Sequence, residues 1–130
     1  MEGRLPYWIG IGDVHNDVAM VARIPGLSQA RGVIISGDIT NRGGRAEAAR
    51  IIDTVRAHNP RILAQFGNMD TADVDAYLEG QGMNIHRKAL ALMPEDDNLG
   101  IMAVGASTPT PFGTPSEFPE SQLAAWLDEV

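Results

Sequence analysis

The chain has 130 residues, the size of one ordinary domain, with no room for two independent cores. Seventeen Asp and Glu against ten Lys and Arg give a net charge of −7, which argues against a general nucleic-acid binder or a membrane-surface protein. There is no Cys, so disulfide scaffolds, Cys-ligated zinc and thiol nucleophiles are excluded, and the only lysine is Lys88, so a Walker-type phosphate loop is excluded too.

In chain order, residues 7–11, 33–35 and 62–66 are brief apolar runs rich in β-branched or aromatic side chains, each closed by Gly and a polar residue. That is the pattern of buried parallel strands. Between the first two, a helix is predicted over 17–24, stopped by Pro25 and Gly26. Between the second and third, residues 46–58 place Ala48, Ile51, Ile52 and Val55 on one helical face. A third helix is predicted over 71–79, with Val74, Tyr77 and Leu78 inward and Gly80 and Gly82 ending it. Strand–helix–strand alternation implies βαβ units, hence an α/β fold around a parallel sheet.

The second half changes character. Residues 88–93 and 100–104 flank the acidic stretch 94–98 and predict a hairpin. Residues 106–118, with Pro109, Pro111 and Pro115, predict a stiffened loop. Leu123, Trp126, Leu127 and Val130 predict a last helix whose apolar face is still unfinished at the final residue, so a single domain over 1–130, cut short at its C-terminus, is expected. Residues 98–116 are uncharged, but their prolines and glycines exclude a membrane helix. With no basic-then-apolar opening to suggest secretion, a cytoplasmic location is expected.

Three polar clusters follow the three predicted strands directly: Gly12-Asp13-Val14-His15, Gly37-Asp38-Ile39-Thr40-Asn41-Arg42, and Gly67-Asn68-Met69-Asp70. In a parallel sheet all three lie at the carboxyl edge, where open α/β folds hold their ligands. Extended geometry continued through Asp13 and His15 would put both side chains on one side of the chain. A carboxylate and an imidazole converging there make half of a divalent-metal site, to which Asp38 and Asn68 add oxygen ligands. A carboxylate has two oxygens and can bridge two ions, an arrangement suited to phosphoryl transfer. Each cluster alone is an ordinary turn pair; their joint order carries the weight.

That order, Asp13-x-His15, then Gly37-Asp38-x-x-x-Arg42, then Gly67-Asn68-x-Asp70, resembles the calcineurin-like metallophosphoesterases. The loop Ser107-Thr-Pro-Thr-Pro-Phe-Gly-Thr-Pro115 is similar to that of one prokaryotic subgroup of the family. The resemblance implies the first half of a metallophosphoesterase-type αββα sandwich: a βαβαβ unit and the start of a second sheet. It implies two divalent ions in the complete protein, with Mn, Fe or Zn suited to the donors. Asp13 and His15 would bind the first, Asn68 the second, and Asp38 would bridge them. Arg42 matches an arginine that contacts substrate phosphate, although by itself it is equally a solvated loop residue.

The implied activity is metal-dependent hydrolysis of a phosphate monoester or diester, of a small molecule or a nucleotide. Three features depart from the family pattern, the first being Asn41, which stands where many members carry an Asp next to the arginine. Met69 stands where a histidine is common, and it can neither stabilise the transition state by a hydrogen bond nor supply a proton to the leaving group. The downstream ligating histidine and Gly-His-x-His motif are missing, and His58 and His86 read as structural or surface residues. The other reading is therefore a non-catalytic scaffold of the same fold or an inactive fragment. A half-domain would also leave a sheet edge or core face open, so self-association is expected. A dinucleotide-binding module fails on its own motif, since Gly10-Ile11-Gly12 would need glycine where His15 stands.

Overall fold

The three short apolar runs form one parallel sheet in a computed structural model that describes residues 6–93 and 95–130. β1 (Trp8–Ile11), β2 (Gly32–Ile35) and β3 (Ile62–Ala64) lie in the order β1-β2-β3. Ile9 pairs with Val33, and Ile35 with both Ile11 and Ala64. β2 is central, which is why its apolar run is continuous: Val33 and Ile35 have no exposed surface.

Helices α1 (Val18–Val21) and α2 (Arg45–His58) connect these strands, and α3 (Ala72–Gly80) follows β3. The α2 face read from the sequence is the one buried: Ala48, Ile51, Ile52 and Val55 are fully enclosed. Glu47 draws the chain into that helix by accepting the Gly44 amide at 2.9 Å. α3 buries Val74, Tyr77 and Leu78, and the chain leaves it through Gly82 in the left-handed region (φ 72°). These side chains share one apolar cluster with Val21, Leu27, Ile39 and Phe66.

α1 is shorter than its sequence suggests, ending at Val21 rather than Ile24. The amides of Arg23 and Ile24 bond three residues back, to Met20 and Val21 (3.0 and 3.3 Å), so the last turn tightens out of α geometry. β3 likewise stops at Ala64 instead of reaching Phe66, whose carbonyl accepts the Ala106 amide (3.1 Å) instead. Residues 83–85 then run beside β3, with Ala64 donating to Met83 and accepting from Ile85 (2.8 and 2.9 Å).

β4 (Lys88–Met93) and β5 (Asp96–Ala103) form a separate two-stranded antiparallel sheet. β5 begins inside the stretch expected to be turn, because Met93 pairs with Asp96. Backbone pairing needs no apolar side chains, so the ladder runs on as far as Met93 and Asp96. Pro94, the first residue of the expected turn, lies outside the described residues, as do the first five residues, where no secretory signal is expected. The chain is thus mixed α/β, with a parallel three-stranded sheet and a small antiparallel one.

The loop 106–118 has no regular element, as its prolines predict, but it is closed at its base. Ser107 donates to Ser116 (3.2 Å) and accepts from Phe118 (2.8 Å). It leads to α4 (Glu120–Asp128), which buries no residue completely. The apolar row expected along this helix is not buried as a row. Leu127 is 47% exposed, and Val130 lies beyond the helix end. Trp126 is the anchor, packing edge-on against His86 (4.8 Å between ring centroids) and Phe118 (5.0 Å). His86 also meets Phe66 edge-on at 4.9 Å. No helix among the described residues is long and apolar enough to cross a membrane.

His86 accepts the Gly105 amide on Nδ1 (2.8 Å), so its neutral form carries the proton on Nε2. Burial holds this imidazole below the usual histidine value of 6.5. A histidine depressed in the folded state binds protons more readily when unfolded, so its contribution is fully present above pH 6.5 and declines as pH falls below it. We expect the urea midpoint to drop between pH 7 and pH 5.5, with Trp126 fluorescence changing in parallel. His86→Gln, which keeps an acceptor for Gly105, should flatten that dependence.

Candidate metal centre

The strand ends are built from unusual backbone. β1 closes at Ile11, so the extended geometry expected through Asp13 and His15 does not occur. Asp13 (φ 52°), His15 (φ 45°) and Asn16 (φ 68°) all lie in the left-handed region, and so do Asp38 (φ 51°) and Arg42 (φ 60°). Asp, Asn and His tolerate that region better than branched residues, but each instance still costs on the order of 1 kcal/mol or more and persists only where neighbours enforce it. Here the enforcement is visible. The His15 amide donates to the Asp38 carbonyl (2.9 Å) and the Asn16 amide to Ile39 (3.1 Å), while Val14 between the two site residues is sunk into the core.

The glycines preceding Asp38 and Asn68 are required by proximity. Gly37 has φ 115°, and a Cβ there would sit 2.9 Å from the Cα of Gly67. A Cβ on Gly67 would lie 2.2 Å from Asp38 Oδ1. Only two glycines let the loops after β2 and β3 approach this closely.

Asp70 locks them together. Its side chain has no exposed surface, and both carboxylate oxygens are spent on neighbouring loops. Oδ2 accepts from the amides of Ile39 (3.1 Å) and Gly67 (2.8 Å). Oδ1 accepts from the Thr40 amide (2.8 Å) and the Thr40 hydroxyl (2.7 Å). A buried carboxylate is tolerable only when satisfied in this way. The sequence places Asp70 in the third cluster but gives no sign of this role, since an acid two residues after Gly-Asn is ordinary turn chemistry.

On this frame three side chains converge. Ligand atoms of Asp13, His15 and Asp38 all lie within 4.8 Å of one another. His15 Nε2 is 3.5 Å from Asp13 Oδ1 and 3.9 Å from Asp38 Oδ2. His15 Nδ1 lies 3.4 Å from the Thr40 carbonyl; a proton there leaves Nε2 as the ligand atom. The Asp38 side chain is 17% exposed, against 80% for Asp13. Burial pushes the Asp38 carboxyl above its ordinary value, despite the opposing Met69 amide; the neighbouring Asp13 and the charge on Asp70 add to the rise. Gathered carboxylates beside an imidazole form a donor set that a divalent cation would relieve of its mutual repulsion. The set therefore fits a metal ion.

The other two expected site residues face a different neighbour. Asn68 donates its side-chain nitrogen Nδ2 to Thr114 Oγ1 (3.1 Å), and its backbone carbonyl accepts the Ser116 amide (2.9 Å). Arg42 is exposed, and its guanidinium donates to the carbonyls of Phe112 (3.2 Å) and Gly113 (3.4 Å). The proline-rich loop thus straps onto both residues. Within it Glu117 accepts from the amide and hydroxyl of Thr110 (2.9 and 2.6 Å) and from the amide and hydroxyl of Thr114. These four donors hold the Glu117 carboxyl down at about 2. Sequence reasoning missed Thr110, Thr114 and Glu117 because a stiffened loop does not announce what it closes upon. His86 sits in the aromatic cluster and does not join the triad.

Asp70→Ala would orphan the amides of Ile39, Thr40 and Gly67 in the interior, while the Thr40 hydroxyl could still turn to the Gly43 carbonyl. The substitution should cost roughly 3 kcal/mol or more in urea unfolding and abolish metal uptake at the triad. Gly67→Ala should do the same to metal uptake through its clash with Asp38. For Glu117, a folded value below the unfolded one of 4.5 means stabilisation present above pH 4.5 and lost as pH falls toward 2. Protection factors for the amides of residues 110–117 should therefore fall across that window, and Glu117→Gln should lower them already at neutral pH.

No protein-family model matches the chain, and no solved structure matches it. It is similar to an uncharacterized protein of Methanocaldococcus jannaschii, 29% identical over 115 residues that make up 88% of this chain. Those residues span 50% of the relative, so the chain is comparable to about half of that protein.

Proposed function

We propose that the chain is a metal-dependent phosphoesterase of the calcineurin-like type, acting on the phosphate ester of a small molecule or nucleotide. Its parallel sheet and hairpin would be elements of that family's αββα sandwich. The observation that carries the reading is the convergence of Asp13, His15 and Asp38 at the carboxyl edge of a parallel sheet, on backbone whose strain has no evident structural purpose. Asp13 and His15 would hold one divalent ion, Asn68 a second, and Asp38 would join them. Ions held there supply Lewis acidity to the phosphate and acidify water toward neutrality.

The chain's own residues then divide the remaining work. Asp38 is held by the Met69 amide (3.0 Å), which fixes one carboxylate oxygen. Arg42 presents a planar fork suited to two phosphate oxygens, and to reach them it would exchange the Phe112 and Gly113 carbonyls for the anion. Met69 offers no proton to a leaving group, so esters of good leaving groups should react best.

The test is calorimetric Mn²⁺ titration together with hydrolysis of an activated aryl phosphodiester, on this chain and on a longer product spanning the relative's full length. We expect metal uptake that Asp38→Ala and His15→Ala abolish. In the longer product Asp38→Ala should lower the rate by about a thousandfold or more, or roughly 4 kcal/mol. Metal uptake without turnover in the longer product would favour the scaffold reading. Brisk turnover unaffected by Asp38→Ala would overturn the two-metal account.

A further inference from the structure

Asn68 can ligate a cation only through its side-chain oxygen, and an amide can flip. What decides the flip is its neighbour, Thr114, whose hydroxyl has one proton to give. That hydroxyl lies against Glu117 Oε2 in a very short contact, and the same oxygen accepts the Thr114 amide (2.5 Å) and the Thr110 hydroxyl (2.6 Å). A carboxylate has no proton to offer, so the Thr114 proton is committed to Glu117. Thr114 Oγ1 can then only accept from Asn68, and it does, at 3.1 Å from Nδ2. The flipped amide would set two oxygens against each other with no proton between them.

We infer that Glu117 and Thr114 are positioning residues, a relay across the proline-rich loop that fixes the Asn68 amide with its nitrogen on Thr114 and its oxygen free for the cation. The inference rests on the metal reading above and adds to it two residues some fifty positions from the ligand they orient. The same closure sets Arg42. Glu117 gathers the Thr110 and Thr114 backbone on either side of Phe112 and Gly113, whose carbonyls hold the guanidinium. The depressed Glu117 carboxyl keeps the relay charged through the neutral range.

The relay is tested by following two signals in ¹⁵N-labelled protein during a Zn²⁺ titration: the Asn68 side-chain amide and the His15 ring. In the unsubstituted chain both should respond to Zn²⁺, and the Asn68 amide should show slow exchange of its hydrogen-bonded proton. Thr114→Val keeps the shape but removes the acceptor. It should abolish that slow exchange and demand about tenfold or more Zn²⁺ for the Asn68 response, with the His15 response within twofold of normal. Glu117→Ala should behave alike, and Thr114→Ser should restore the original behaviour. An unchanged Asn68 response in both Thr114→Val and Glu117→Ala would overturn the relay while sparing the metal reading. Response of His15 without Asn68 in the unsubstituted chain would overturn it by removing Asn68 as a ligand. Response of neither would overturn the metal reading on which it stands.

Discussion

The whole strand-end architecture depends on one fully buried carboxylate. Taking Asp70 out of water costs several kcal/mol unless the lost solvation is replaced, and here four donors from two loops replace it. Those donors belong to Ile39, Thr40 and Gly67, so the charge holds the loop after β2 against the loop after β3. The connection continues outward. The segment fixed by Asp70 offers its carbonyls at Asp38 and Ile39 to His15 and Asn16, which binds the loop after β1 as well. Three loops distant in sequence become one rigid unit at the carboxyl edge of the sheet.

That rigidity makes the triad's electrostatics understandable. Asp13 and Asp38 repel one another, and Asp38 is additionally desolvated; free loops would relax by moving apart. They cannot do so while the backbone hydrogen bond between His15 and Asp38 ties the two loops together, with Asp13, His15 and Asp38 in left-handed conformations. The stored repulsion and backbone strain are the counterpart of cation affinity: the site is arranged before its ligand arrives, and the folding energy of the core bears the cost.

Much of this was legible in the sequence because it is periodic or local. The buried face of α2 follows from the spacing of Ala48, Ile51, Ile52 and Val55, and the three strands from brief apolar runs ending in glycine. The ordered polar clusters brought Asp13, His15 and Asp38 to one edge for the correct topological reason, although by left-handed turns rather than an extended strand. What stayed hidden is long-range or conformational. The role of Asp70 requires partners 30 and 31 residues earlier. The attachment of Arg42 to Phe112 spans 70 residues, and that of Asn68 to Thr114 spans 46. The shortening of α1 and the early start of β5 arise from backbone bonding that side-chain pattern does not encode.

The β4–β5 hairpin has a different standing in the molecule. Two strands alone are marginal in water, and this pair is fastened to the rest by a few points: Trp8 Nε1 on the Leu92 carbonyl, the Arg87 amide on Ala103, and the Lys88–Glu79 and Arg31–Glu95 ion pairs. None of the hydrogen bonds described for His15, Asp38 or Asp70 comes from residues 88–103. Opening of the hairpin is therefore a sub-global event with its own free energy, below that of unfolding the core. The strand-end loops outlive it, so the molecule has two thermal clocks: a fast one for the outer ribbon and a slow one for the floor on which the triad stands.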